Sequence, residues 1–334
     1  MIPESFKALI VEETGAGAFS RQIRNKSIDE LPPGELLVKV HFSSLNYKDA
    51  LSALGRPGVT KNYPHTPGID AAGEVVSCTD GAFRTGEPVI VTGYDLGMNC
   101  PGGYGQYIRV PSAWAVRLPE GLTLRESMII GTAGLTAGLS LHRLARAGVR
   151  PELGEILVTG ATGGVGSIAV TILARAGYDV VAVTGKSSEA DFLHGLGARQ
   201  VLSREEFLRN ADRPLLKERW AGVLDVVGGG MLAAAVKSTC YGGVVTCCGL
   251  AGSPDLPLNV YPFILRAVSL IGIDSAQAAT QTRHEVWQRL AGEWKPAPIL
   301  ASAVESPLSG LEGKFSALLR GELRGRTVVN LIDA

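Results

Sequence analysis

The hydrophobic pattern divides the chain into a first part of short strands and a second part in which strands alternate with helices. In the first part, short apolar runs are separated by Gly and Pro residues, a spacing that predicts strands joined by turns. The predicted strands cover residues 6–12, 35–43, 69–77, 88–92 and 106–110. This part is therefore predicted to form a β-rich, barrel-like domain.

A different pattern begins at Thr123. The segment Thr123-Leu-Arg-Glu126 has the sequence of a capping box and opens a long apolar helix that runs toward Gly148. Predicted strands at 156–160, 180–184, 199–202, 222–227 and 243–247 then alternate with helices at 165–176, 189–196 and 231–238. Continuous apolar strands between helices are typical of a doubly wound parallel sheet, so the predicted fold class is α/β.

The last part of the chain changes pattern again. It contains two predicted amphipathic helices, 283–291 and 310–319, and an alternating strand at 326–332. We expect this strand to return to the β-rich domain. The predicted domains are 1–125, the first part of the β-rich domain, 126–270, the α/β domain, and 271–334, the returning C-terminal segment.

Composition excludes several classes of protein. Hydrophobic residues make up 46% and charged residues 19%, which excludes a disordered chain. Lys plus Arg equals Asp plus Glu at 32 each, so no net field attracts nucleic acid or an anionic membrane. No apolar run reaches the roughly 18 residues of a membrane span, and Met1–Ser5 lacks the start of a signal peptide. Five irregularly spaced cysteines favour reduced thiols, so we expect a cytoplasmic protein.

One glycine-rich motif carries the strongest chemical signal. Val158-Thr-Gly-Ala-Thr-Gly-Gly-Val-Gly166 lies between a predicted strand and a predicted helix. Gly163 would let the backbone approach a pyrophosphate, and Gly166 would let the helix pack closely on the strand. Ala161 replaces the first glycine of the usual fingerprint. A tight turn without a ligand is the alternative, but the order strand, turn, helix, strand favours a dinucleotide site.

The end of the second strand distinguishes the two nicotinamide cofactors. An NAD site normally has Asp or Glu there to bind the ribose 2′-hydroxyl, whereas this chain has Thr184-Gly-Lys-Ser-Ser188. Lys186, together with Arg204 after the neighbouring strand, suits a 2′-phosphate. The predicted cofactor is therefore NADPH. The alternative is that both cations are solvated surface charges.

No zinc site is predicted. The five histidines are scattered, and none lies in the cysteine spacing that a catalytic or structural zinc requires. Alcohol oxidation would then lack its usual Lewis acid.

Several motifs in order resemble the medium-chain dehydrogenase/reductase superfamily. They are Ser44-Leu-Asn-Tyr-Lys-Asp-Ala50, Pro67-Gly-Ile-Asp-Ala-Ala-Gly-Glu74, Ile129-Ile-Gly-Thr-Ala-Gly-Leu-Thr-Ala137, the Gly160–Gly166 turn and Pro262-Phe-Ile-Leu-Arg266. The resemblance is to the quinone oxidoreductase branch, and within it to the acrylyl-CoA reductases. It implies a GroES-like catalytic domain, a Rossmann-like cofactor domain, NADPH, no zinc and a homodimer.

The resemblance also implies where the cofactor contacts fall. They would be Tyr47, Thr162, Gly163, Gly164, Val165, Thr184, Gly185, Lys186 and Arg204, with Leu250, Ile264 and Ser275 on the nicotinamide side. The chain departs from the expected pattern at Gly321, where a polar residue that reaches the cofactor would be expected.

The chemistry of such a site needs hydrogen-bond donors. Hydride transfer to the β-carbon of an enoyl thioester or conjugated ketone places negative charge on the carbonyl oxygen. Tyr47 and Asn46 could donate to it, and Asp49 completes the predicted catalytic group. Asp49 and Asp70 are expected to orient backbone and ribose, because a carboxylate would repel the enolate. Alternatively, Asn46 caps a helix and Tyr47 is a buried ring with a satisfied hydroxyl.

Three functions are consistent with these observations. The first is NADPH-dependent reduction of a short 2-enoyl-CoA such as acrylyl-CoA. The second is reduction of a quinone or enone by the same architecture. The third is an NADPH-binding protein without catalytic activity, because folds are reused without chemistry.

Overall fold

The computed structural model describes residues 2–15 and 17–333, which form two compact units. One unit comprises residues up to Thr132 together with those from Ser302 onward, and the other comprises Ala133–Ala301. The outer ends of the predicted domains, Met1 and Ala334, lie outside the described residues. The predicted α/β class is confirmed, with a β-rich first unit and a parallel sheet in the second.

The described residues contain the following regular elements. The strands are β1 Ser5–Gly15, β2 Ala18–Ser27, β3 Leu36–Ser44, β4 Asp70–Cys78, β5 Pro88–Thr92, β6 Tyr107–Val110, β7 Ala115–Arg117, β8 Glu155–Val158, β9 Val180–Thr184, β10 Gln200–Ser203, β11 Trp220–Asp225, β12 Thr239–Cys247, β13 Ser269–Gly272, β14 Val304–Pro307 and β15 Thr327–Asn330. The helices are α1 Tyr47–Ala53, α2 Leu124–Arg146, α3 Gly164–Arg175, α4 Ala190–Gly195, α5 Arg204–Leu208, α6 Gly229–Lys237, α7 Tyr261–Arg266, α8 Thr280–Ala291, α9 Ala297–Ser302 and α10 Glu312–Leu319.

The first unit is built on a mixed sheet in the order β14-β15-β3-β4-β5-β7, with β6 also paired to β3. β1 and β2 form a separate antiparallel pair. β15 pairs antiparallel with β3, which confirms that the last strand returns to the first domain. Leu36, Val91 and Phe315 are buried in its core, so the C-terminal segment supplies part of that core.

The second unit contains a parallel sheet in the order β10-β9-β8-β11-β12-β13 among its described residues. The chain moves outward from β8 through β9 to β10, then returns to the other side of β8 with β11. The order reverses between β8 and β11, the switch point at which such sheets bind ligands beyond their carboxyl ends. Leu157, Val181 and Val223 are completely buried between the helical layers.

The predicted domain boundaries at 125 and 270 need correction. The first border lies at Thr132, within α2, and the second at Ala301 rather than 270. The chain beyond 270 stays with the parallel sheet because β13 pairs with β12 and α8 packs against the second half of α2. At Gly138 an added Cβ atom would lie 2.5 Å from Val286 Cγ1, which shows how closely these two helices approach.

Candidate functional site

The predicted glycine-rich turn connects β8 to α3 as expected. Gly160 has φ +58°, a conformation that favours glycine, and an added Cβ at Gly166 would lie 2.3 Å from Gly160 O. An added Cβ at Gly163 would meet only Gly160 O, at 3.4 Å, so the backbone there is open to a ligand. Gly164 and Val165 begin α3, whose N-terminus supplies N–H groups to an anion.

The cationic residues lie at the ends of β9 and β10. Ser203 of β10 is paired with Thr184 of β9, so Arg204 emerges beside Gly185. An added Cβ at Gly185 would be 2.6 Å from Arg204 Nη2, so the guanidinium lies against the backbone of Gly185. Lys186 is half-buried, and its backbone N–H donates to Thr184 Oγ1 at 3.0 Å.

A capping box fixes the start of the helix that carries Arg204. Ser203 Oγ accepts from Glu206 N–H at 3.1 Å, and Glu206 Oε2 accepts from Ser203 N–H at 2.8 Å. These hydrogen bonds lower the pKa of Glu206 below its ordinary value. The guanidinium of Arg204 makes no hydrogen bond or ion pair with any other residue that the structure describes, so it is available to an anion.

A cavity of about 560 Å³ opens beyond β11, β12 and β13. Leu250 lines this cavity, as do the glycines at 228 and 249. Ile264, on α7, is 68% exposed and does not line it. Ser275 is also outside its lining and accepts a hydrogen bond from Thr136 Oγ1 at 2.7 Å. Of the three predicted nicotinamide-side residues, the structure therefore brings only Leu250 to the cavity.

These residues fit an NADP(H) molecule. The open backbone at Gly163 suits the pyrophosphate, and the guanidinium against Gly185 suits a 2′-phosphate. Thr162 Oγ1 and Thr184 Oγ1 are 3.3 Å apart and connect the turn to the end of β9.

The predicted catalytic group lies in the first unit, around the carboxylate of Asp70. This fully buried carboxylate accepts hydrogen bonds from the Ser44 hydroxyl, from Asn46 Nδ2 at 2.8 Å, and from Thr132 N–H at 2.9 Å. Asn46 Nδ2 is also 3.3 Å from Ser44 Oγ. The amide donors of Asn46 are therefore already directed into the protein.

Asp49 is completely buried in the first turn of α1. Its Oδ2 accepts from Asn46 N–H and its Oδ1 from Ile69 N–H, both at 2.8 Å. Burial, and then the charge of Asp70, raise the pKa of Asp49 from 3.8 to about 7. Because its oxygens hold two backbone segments, these contacts favour a positioning role for Asp49 over contact with a substrate.

The sequence did not indicate Arg326 as a part of this network. Arg326 is 3% exposed, and its guanidinium donates from Nε to Ile129 O at 2.7 Å and from Nη1 to Asn46 Oδ1 at 3.2 Å. Burial lowers the pKa of Arg326 below its ordinary value, and the carboxylates of Asp70 and Asp49 oppose that effect. A charged residue at the start of an apolar strand was the only signal available in the sequence.

Tyr47 differs from its two neighbours. It is the first residue of α1 and is 42% exposed, so it is not the buried ring that was the alternative. Its hydroxyl makes no hydrogen bond with any other described residue. Tyr47 is therefore the member of the predicted catalytic group that can still donate to a substrate.

The residues that the structure describes contain no group of three or more His, Cys, Asp or Glu side chains able to hold a metal ion. The His, Cys, Asp and Glu side chains of these residues therefore do not fit a resident zinc ion. No helix within residues 2–15 and 17–333 is both long and apolar enough to cross a membrane.

Comparisons with known families agree with this architecture. The model for the alcohol dehydrogenase GroES-like domain matches residues 32–120, and the model for zinc-binding dehydrogenases matches residues 164–292. A Bacillus subtilis protein with the provisional name quinone oxidoreductase YhfP is 44% identical over 98% of this chain and 99% of its own. The acrylyl-CoA reductase AcuI of Ruegeria pomeroyi is 42% identical, with the same coverage.

Two solved structures are similar over nearly their full length. YhdH of Escherichia coli K-12, with bound NADPH, is 44% identical with a TM-score of 0.94, over 97% of this chain and 99% of its own. Bacillus subtilis YhfP, with bound NAD, has the same identity and TM-score, over 98% and 99%. The domain matches and the near-complete relatives show that this chain belongs to the medium-chain dehydrogenase/reductase superfamily, in its quinone-oxidoreductase-like branch, and is an oxidoreductase.

Proposed function

We propose that this protein uses NADPH to reduce the carbon-carbon double bond of a short 2-enoyl-CoA such as acrylyl-CoA. The observation that carries the cofactor assignment is the Arg204 guanidinium against Gly185, at a strand end without an acidic residue. An acid there would bind the 2′-hydroxyl of NADH and repel the phosphate of NADPH. The acceptor class is supported by the name of the AcuI relative.

Each residue of the proposed site would have a distinct role in the reaction. The bound cofactor supplies the hydride. Thr162, Gly163 and Arg204 bind its phosphates, and Leu250 supplies an apolar wall on the nicotinamide side. Tyr47 donates a hydrogen bond to the substrate carbonyl oxygen as negative charge develops on it.

Asn46 and Asp49 act on the substrate indirectly, through the position of Tyr47. They hold the start of α1, and with it Tyr47, against Asp70 and the backbone of Ile69. Orientation of this kind can account for several kcal/mol of the rate enhancement, at about 1.4 kcal/mol for each tenfold gain. Asn46 and Asp49 are thus positioning residues in this proposal.

A panel of acceptors tests the proposal. Acrylyl-CoA, crotonyl-CoA, a naphthoquinone and a simple enone would be mixed separately with protein and NADPH, and cofactor oxidation would be followed by absorbance. The highest kcat/KM is expected with acrylyl-CoA. No oxidation with any acceptor would instead indicate an NADPH-binding protein without catalytic activity.

A quinone or enone reductase is the second candidate function. The provisional name of the YhfP relative favours it. Faster turnover of the naphthoquinone or the enone than of both thioesters would establish this function and overturn the first one.

We also propose a cytoplasmic homodimer. The five cysteines are all free thiols in the structure, which suits a reducing compartment. The homodimer is implied by the resemblance to the quinone oxidoreductase branch. Sedimentation equilibrium of the purified full chain would give the mass of the assembly directly, and a single-chain mass would contradict the dimer.

A further inference from the structure

Asp225 is a buried carboxylate at the switch point of the parallel sheet. It is the last residue of β11 and is fully buried. Oδ1 accepts from the Thr159 hydroxyl at 2.6 Å, and Oδ2 accepts from Gly228 N–H at 2.8 Å and Val227 N–H at 3.2 Å. Within the described part of the chain no ion pair compensates its charge, so these three donors stabilise it.

The same contacts join two turns at the carboxyl edge of the sheet. Thr159 begins the glycine-rich turn after β8, and its Oγ1 also accepts from Val226 N–H at 3.1 Å. An added Cβ at Gly160 would lie 2.5 Å from Val226 Cγ2, so the two turns are in direct contact. The hydroxyl of Thr159 and the carboxylate of Asp225 therefore fix the relative position of these turns.

A third turn packs on the segment that Asp225 holds. Gly252 N–H donates to Val227 O at 2.8 Å. An added Cβ at Gly249 would lie 2.2 Å from Val226 O. Gly228 and Gly249, together with Leu250, line the cavity of about 560 Å³, so a shift of the 226–228 segment would change the cavity wall.

We propose that Asp225 is a positioning residue that shapes the nicotinamide half of the cofactor site, with Thr159 as its partner. The inference rests on the proposed binding of NADPH. It assigns Asp225 to one half of the site because β11 lies on one side of β8, whereas β9 and β10, which precede Lys186 and Arg204, lie on the other. Loss of the carboxylate should therefore weaken binding of the whole dinucleotide but not of its phosphorylated adenosine half.

The test uses two ligands, NADPH and 2′,5′-ADP, which lacks the nicotinamide half. Their dissociation constants would be measured by calorimetry for Asp225→Asn and Thr159→Val in the full-length protein. In Asp225→Asn an amide NH₂ faces N–H groups that formerly had an acceptor, so the Kd of NADPH should rise about tenfold or more. Thr159→Val should raise it roughly three- to tenfold. The Kd of 2′,5′-ADP should change less than about twofold in both.

Two further variants serve as controls. Thr159→Ser retains the hydroxyl and should bind NADPH as tightly as the wild type. Thr239→Val removes another fully buried hydroxyl, which donates to Ala235 O at 2.8 Å at the amino end of β12. Because that end is opposite the cofactor edge, this variant should bind both ligands normally.

The possible results separate the two proposals. Unchanged NADPH binding in both test variants, equal losses for 2′,5′-ADP, or an equal loss in Thr239→Val would overturn the role of Asp225. Such results leave the proposed function intact if the wild type still oxidises NADPH. Failure of the wild type to bind NADPH would overturn both.

Discussion

Asp49 links a single ionisation to the stability of the first unit. Its pKa is raised to about 7 in the folded protein, mainly by burial, from an ordinary value of 3.8. Between these two values the folded state holds a proton that the unfolded state has released. The contribution of Asp49 to the free energy of unfolding therefore falls as pH rises through this window.

The Asp49→Asn variant should make this dependence visible. The free energy of unfolding would be measured by urea titration of both proteins from about pH 4 to about pH 8, a range that covers the interval between the unfolded and folded pKa values of Asp49. We expect the stability advantage of the wild type to shrink as pH rises. Asp29→Asn, at an exposed position, is the control, and its difference from wild type should stay constant. A wild-type advantage that grows with pH would contradict the assignment.

Tyr47→Phe tests how much of the rate enhancement depends on the Tyr47 hydroxyl and how much on orientation of the substrate. The variant keeps the ring at the first position of α1 and removes only the exposed hydroxyl. If orientation dominates, kcat should fall about tenfold or less, equivalent to about 1.4 kcal/mol. Tyr241→Phe, at a 75% exposed position, is the control and should have wild-type kcat. Complete loss of turnover in Tyr47→Phe would show that the hydroxyl is indispensable.

Site residues whose positions follow from the local sequence were predicted better than residues that only tertiary contacts bring to the site. Lys186 and Arg204 follow strands that are adjacent in a parallel sheet, so their proximity follows from the strand order. Arg326 lies 280 positions from Asn46 in the chain and touches it only because β15 returns beside β3. No spacing in a single sequence encodes such a contact.

At the scale of elements, α2 contains a break that supports the Asp70 network. Gly131 has φ 51° and ψ −159°, which interrupts the helix and directs Thr132 N–H to Asp70. An added Cβ there would lie 2.5 Å from Asp70 Oδ2 and 2.8 Å from Ser44 Oγ. The conformation and the crowding both require glycine.

Gly131→Ala should therefore destabilise the protein. We expect a loss of about 2 to 4 kcal/mol in the free energy of unfolding, from backbone strain and contact with the carboxylate. Gly313→Ala, in α10 with open space around it, is the control and should be neutral or stabilising by up to about 1 kcal/mol. Equal effects of the two substitutions, measured by urea denaturation, would exclude strain at residue 131.

The elements with a strong repeat were predicted closely, whereas several strands at sheet edges were not predicted. The predicted strand at 180–184 is confirmed as β9, and the helix predicted at 165–176 is α3. The edge strands β2, β13 and β14 were not predicted, because edge strands tolerate polar residues and lose the alternating pattern. The break at Gly131 was missed for a different reason, since a lone glycine is common within an apolar helical run.

At the scale of the whole molecule, the residues of the parallel-sheet unit interrupt the sequence of the β-rich unit. Phe315, on α10 of the returning segment, is completely buried and its ring lies 6.2 Å from that of Tyr104. Residues from the two ends of the chain thus share one core. The stability of the first unit should depend on the C-terminal segment.

Phe315→Ala tests this dependence by hydrogen exchange. A cavity of this kind costs about 3 to 5 kcal/mol, so amides of β3 and β4 should lose protection. Amides of β8 and β11 should keep theirs, because they belong to the other core. Leu153→Ala, at a 63% exposed position, should change neither. Protection lost equally in both sheets would show that the two units unfold as one.

Binding of the two nicotinamide cofactors tests most directly whether Lys186 and Arg204 select NADPH over NADH. Calorimetric titration would give the Kd of NADPH and of NADH for the wild type, for Lys186→Ala with Arg204→Ala, and for an exposed control pair, Arg213→Ala with Lys217→Ala. The wild type and the control should bind NADPH more tightly than NADH. The first double variant should lose about a hundredfold for NADPH, from two charge-assisted contacts, and little for NADH. A wild type that binds NADH at least as tightly, or equal losses for both cofactors, would contradict the account.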